Sequence, residues 1–90
     1  MRLIDNVTTT TATSDVLTVP RQHRDKTYTP IYVSITAAAT VVLEGSSDPN
    51  LPFVPIETLT ASAMKAMVTP RLLRVTITGN TGAVDVILDV

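Results

Sequence analysis

The sequence predicts an all-β fold: two antiparallel sheets packed as a sandwich, of jelly-roll or immunoglobulin-like type, with about six to seven short strands and an extended N-terminal arm. Three observations predict it. Threonine and valine are the commonest residues, and their branched Cβ suits a pleated sheet better than a helix. Short segments alternate apolar and polar side chains with a period of two, the mark of a half-buried antiparallel strand. Turn-forming clusters separate those segments, and glutamate, lysine and leucine are too few for several good helices.

The chain has 90 residues, enough for one domain, with residues 1–14 as the arm and 15–90 as the sandwich. A domain of this size hides only about 60–65% of the surface its unfolded chain exposes, so its stability is modest. With no cysteine and a single histidine, disulfides are excluded and a structural zinc site is not expected. Partner chains are the remaining source of extra stability. Seven basic and eight acidic residues give a formal net charge of −1, which offers no basic face for nucleic acid. No apolar run approaches the roughly 18 residues of a membrane span, and no apolar stretch typical of a secretory signal follows Met1 and Arg2.

Taken in order, Thr8, Thr9, Thr10 and Thr11 stand in a polar tract without a buried face. It reads either as a loose arm or as an extended arm that pairs with a neighbouring sheet. Asp15 to Pro20 is a first strand, with Leu17 and Val19 on one face. Arg21, Gln22, His23, Arg24, Asp25 and Lys26 form the densest charge run and read as a solvated loop. Thr29 to Thr36 alternates Ile31, Val33 and Ile35 with Tyr32 and Ser34. Ala39 to Ser46 follows, then a turn through Gly45, Ser46, Ser47, Asp48, Pro49 and Asn50. Phe53 to Leu59 contains Pro55, which cannot donate to a ladder, so this strand belongs at an edge or carries a bulge. Ala61 to Val68 fits a strand with Met64, Ala66 and Val68 on one face, or a single helical turn. Leu72 to Thr78 and Ala83 to Val90 are the clearest strands. The link between them, Gly79, Asn80, Thr81 and Gly82, predicts a hairpin.

The expected core is Leu17, Val19, Ile31, Val33, Ile35, Val41, Leu43, Val54, Ile56, Leu73, Val75, Ile77, Val84, Val86 and Leu88, each worth about 1.5–3 kcal/mol if fully buried. Truncating Val75 is expected to be costly and changing Thr76 not. Phe53 is expected beside the turn as a core residue. Val16, Val42 and Ile87 fall on outward faces, which suggests cover by another chain or an irregular core.

Catalytic constellations are not evident, and no enzyme activity is expected. His23 is the single imidazole and lies in the charge run; Ser46 and Ser47 read as turn serines that bond nearby backbone. Asp85 and Asp89 share a face but stand about 13 Å apart at strand rise, too far to share a substrate atom. Glu44, Asp48 and Asn50 are oxygen-rich, but their spacing matches no calcium loop. No glycine-rich phosphate loop exists, and Tyr28, Tyr32 and Phe53 are too few for nucleic-acid stacking. No cofactor is expected. Interaction surface remains, with Thr8 to Thr11 and the cations Arg21, Arg24 and Lys26 as candidate contacts.

Val41-Val42-Leu43-Glu44-Gly45-Ser46-Ser47-Asp48, then Phe53-Val54-Pro55-Ile56 and Thr58-Leu59-Thr60, form one pattern. Leu73-Arg74-Val75-Thr76-Ile77-Thr78-Gly79, leading to Val84-Asp85-Val86-Ile87-Leu88, forms a second. Together they resemble the small β-sandwich structural proteins of tailed bacteriophages, over roughly Ile31 to Val90; the Pro49-Asn50 pair departs from the glycine usual in that turn. The resemblance implies a virion component made in a host cytoplasm. It implies a capsid decoration or cement protein, or a tail, collar or fibre part with a host-surface or carbohydrate-binding role. The implied partners are the major capsid protein or other virion proteins, together with further copies in a symmetric oligomer such as a trimer, with neither nucleic acid nor membrane bound.

Overall fold

A computed structural model describes residues 1–19 and 29–88. Nine strands occur among them: β1 (Arg2–Val7), β2 (Ala12–Thr13), β3 (Leu17–Thr18), β4 (Thr29–Ile35), β5 (Thr40–Ser46), β6 (Val54–Leu59), β7 (Ala63–Met67), β8 (Leu72–Thr78) and β9 (Val84–Leu88). They form two antiparallel sheets, in the orders β1-β9-β4-β7 and β2-β8-β5-β6, with β3 also on β8. The strand number exceeds the expected six to seven because the N-terminal residues add strands. β2 and β3 act as one interrupted strand. At the interruption Ser14 takes over the ladder, its N–H donating to the Val75 carbonyl at 2.8 Å and its Oγ accepting the Val75 N–H at 2.9 Å.

With β2 and β3 counted together, the pairing is nested: β1 with β9, β2/β3 with β8, β4 with β7, β5 with β6. First pairs with last and the middle two pair with each other, which is the eight-stranded jelly roll. The sequence left this open against an immunoglobulin-like arrangement, since alternation fixes which side chains face inward and not which strands are neighbours.

Three local expectations change. Residues 2–7, expected within an arm, form an edge strand on β9 with Ile4 buried; leaving Leu3, Ile4 and Val7 in water would forgo their burial. The expected hairpin between β8 and β9 is absent, because the two strands lie in different sheets. Their apolar faces, Leu73, Val75 and Ile77 against Val84, Val86 and Leu88, are all fully buried in the one core between the sheets. The connection crosses from sheet to sheet, with Gly79 at φ +62°. Asn80 is buried in that connection. Its Nδ2 donates to the Val7 and Thr9 carbonyls at 3.0 Å each, and its Oδ1 accepts the Gly82 N–H.

The third change concerns the core. Val54 and Ile56 are exposed, while Ile4, Ala39, Leu59, Met67 and Leu72 are buried. A register shift between Leu43 and Glu44 bulges β6, and Leu59 rather than Ile56 occupies the inward register. Leu17 and Ile35 are half-buried against the core, and the remaining expected residues lie in it. The ambiguous stretch over Ala61 to Val68 is a strand, β7, and both β6 and β7 are sheet edges.

Candidate interaction surface

The threonine tract is the exposed connection from β1 to β2. Asn80 holds it in place: besides its side-chain bonds, its N–H donates to the Thr10 carbonyl at 3.0 Å. Thr9 Oγ1 turns back onto the Thr11 carbonyl at 2.9 Å. Thr9 and Thr10 are thus fastened to the β8–β9 connection of their own chain, with Thr8 and Thr11 on either side of them. Arg21, Arg24 and Lys26, with His23, lie outside the described residues. The flank of that run is set by Val19, whose N–H donates to the Arg71 carbonyl at 2.9 Å. Arg71 precedes β8 and Asn80 follows it, so this flank and the threonine tract stand at opposite ends of the sandwich.

Each outer sheet surface has its own character. On the second sheet, β5 and β8 pair Glu44 with Arg74 and Val42 with Thr76. Thr76 Oγ1 donates to Glu44 Oε1 at 2.5 Å, and Arg74 Nε donates to the same oxygen at 3.2 Å. The Arg74 guanidinium also sits 4.3 Å from the centre of the Phe53 ring, a cation–π contact. Phe53, expected in the core, is half-buried beneath this guanidinium. The Thr76 hydrogen bond holds the Glu44 carboxyl below the ordinary value of 4.5; the Arg74 bond and charge add to this, and partial burial opposes it. Glu44, Phe53 and Arg74 therefore meet in one cluster.

On the first sheet, Tyr32 of β4 is paired with Met64 of β7 on one side and Ile87 of β9 on the other. Paired residues project to the same face, so Met64, Tyr32 and Ile87 form an apolar row across three strands. Pro30 and Ala66 are paired in the neighbouring row. Met1, Pro30, Tyr32, Met64 and Ile87 line a shallow groove of about 430 Å³. Met64 is 72% exposed and Tyr32 42%. Val68, just after β7, is a further exposed aliphatic, whereas the exposed Val54 and Ile56 of β6 line a separate groove with Gly45 and Pro70. Scattered apolar residues are ordinary on a surface, but a contiguous group marks a docking site. Alternation placed Ile87 on an outward face and Met64 with Ala66 on one face of their strand; that the two faces coincide, with Tyr32 between Met64 and Ile87, depends on strand order.

Of the residues weighed for chemistry, Ser46, Asp48 and Asp85 serve local structure. Ser46 Oγ donates to the Asp48 carbonyl at 2.7 Å, and Asp48 Oδ1 accepts the Asn50 N–H at 2.8 Å, both within the turn. Asp85 Oδ1 accepts from Arg2 Nη1 at 2.8 Å and from the Asn6 N–H at 2.9 Å. Those bonds secure the β1 bulge, where Asn6 has φ +46°. Asp89 lies outside the described residues. Among the described residues, no group of three or more His, Cys, Asp or Glu could hold a metal ion, and no helix is long and apolar enough to cross a membrane. No protein-family model matches the chain, and neither a curated protein nor a solved structure matches it.

Proposed function

We propose that this chain is a structural protein of a tailed-phage particle, a capsid decoration or cement protein that stabilises the particle by docking against other virion proteins. The observation that carries the reading is the apolar row of Met64, Tyr32 and Ile87 on the outer face of the first sheet. A protein with a small core leaves such a row in water at a cost that a partner removes. Two features support it. Jelly rolls recur in viral capsid domains, a fold-level analogy. The convergence of Glu44, Phe53 and Arg74 accounts for the residue pattern behind the phage resemblance. The partner in this reading is the major capsid protein or a neighbouring virion protein.

The same topology houses lectins, so a tail, collar or fibre part that binds glycans is the rival, with the exposed Tyr32 ring as its platform. The groove around that ring favours a protein partner, because Met1, Pro30, Met64 and Ile87 offer sugar hydroxyls nothing stronger than a thioether acceptor, and Arg2, beyond Ile87, is already bonded to Asp85. Quantitative mass spectrometry of purified virions tests the proposal. A copy number in the hundreds supports a capsid role, about six to twelve copies point to a ring in the neck or tail, and absence from virions overturns it. Binding to particles stripped of the protein should be lost in Tyr32→Asp.

A further inference from the structure

We infer that β7 pairs edge to edge with β7 of a second copy, so that the chain forms a two-fold dimer through a continuous sheet. This does not rest on the phage reading, because it concerns only what the chain does with itself.

The sandwich has four edges among its described residues, and three are interrupted. β1 carries two register shifts and the positive φ of Asn6. β2 and β3 are two-residue pieces. β6 contains Pro55 and a bulge. Such features blunt an edge against foreign strands. β7 has no shift, proline or break: Ala63–Met67 pairs with β4 through five successive residues, and its one charged residue, Lys65, is neutralised by Glu57.

The direction of its free groups follows from bonds at the end of β4. The Thr36 N–H points to Ala83, toward β9, and the Ile35 N–H points to Ser62, toward β7. Along a strand these directions alternate. Ile31 and Val33 therefore bond Lys65 and Ala63, and the N–H and C=O groups of Met64 and Ala66 face the open edge.

The occupant follows from the same survey. A head-to-tail contact between copies would need a second regular edge, and among the described residues β7 finds one only in another β7. Antiparallel pairing of identical strands closes into a dimer about a two-fold axis. Charge excludes one register, and the pairing of exposed apolar residues selects among the rest. Centring on Lys65 would oppose two lysines, whereas centring on Ala66 sets Met64 opposite Val68 of the second copy. These are the two most exposed large apolar residues of the β7 segment, at 72% and 61%. Lys65 itself is tied down by Glu57 at 3.1 Å across the sandwich edge. The dimer would join two Met64–Tyr32–Ile87 rows into one apolar face.

Sedimentation equilibrium from about 1 μM to about 500 μM should show a monomer–dimer equilibrium. Ala66→Pro removes an N–H that β4 does not use, so it should keep the β-sheet circular dichroism. Losing two symmetry-related hydrogen bonds should weaken the dimer about thirtyfold. Hydrogen exchange on the unmodified protein gives a reading that does not depend on any variant: the amides of Met64 and Ala66 should slow as concentration rises. A protein monomeric throughout the range overturns the inference. So does a dimer in which those two amides exchange as freely as in the monomer.

Discussion

On the outer face of the second sheet, Glu44 is met by Thr76 and Arg74, and Arg74 covers Phe53. On the outer face of the first, Tyr32 is flanked by Met64 and Ile87, and the row ends at exposed Met64. Both faces belong to strands of similar length over one core. One satisfies its polar groups within the chain, so a partner there would have to replace bonds already made. The other exposes apolar surface that nothing among the described residues covers. The contrast teaches how the two faces use their side chains: the second sheet's face bonds within the monomer, and the first sheet's face leaves apolar groups in solvent, which is why the proposed docking is placed there.

The comparison can be broken by substitution. The largest effect should come from beneath both faces: Ile4→Ala, which hollows the core under β1, should cost about 2–5 kcal/mol in chemical denaturation. A loss under 0.5 kcal/mol would mean that β1 is a detachable arm after all. Glu44→Ala should cost about 1–3 kcal/mol, since Arg74 and Thr76 both lose a charged partner. Thr76→Val should cost about 1 kcal/mol, contrary to the expectation that this outward threonine is dispensable. Tyr32→Thr should change stability by less than about 0.5 kcal/mol while abolishing particle binding. Equal losses at Glu44 and Tyr32 would erase the difference between the faces.

Acid sharpens the same contrast. The folded-state pKa of Glu44 lies below 4.5, so the folded state binds its proton less readily than the unfolded chain does. Its stabilising contribution is complete above that value and is lost as pH falls through the lower folded value. Denaturation midpoints measured between pH 6 and pH 2.5 should fall less steeply in Glu44→Gln than in the unmodified protein. Parallel curves would show that Thr76 and Arg74 do not bias the carboxyl in solution.

Much of this was legible along the chain. Alternation alone placed Ile31, Val33, Val41, Leu43, Leu73, Val75, Val84 and Val86 in the core, because a period of two leaves one inner face whatever the neighbours are. Pro55 announced an edge, since a residue without an N–H cannot serve a central strand. Alternation failed where backbone geometry intervened: the bulge in β6 opposite Leu43 and Glu44 left Ile56 unpaired and part-exposed beside Gly45 and Pro70, and seated Leu59 inside. The link through Gly79 and Asn80 read as a hairpin because turn residues report that the chain reverses, not the sheet to which it returns.

The sequence by itself determined an all-β sandwich and which side of most strands would be wet, since both follow from side-chain type and a two-residue repeat. Only the tertiary structure decided the neighbours. It placed β8 and β9 in opposite sheets, bound the threonine tract to Asn80, brought Glu44, Arg74 and Phe53 together, and set Tyr32 between Met64 and Ile87. Those partners are far apart along the chain, and strand order is set by the packing of the whole core, which no local pattern encodes.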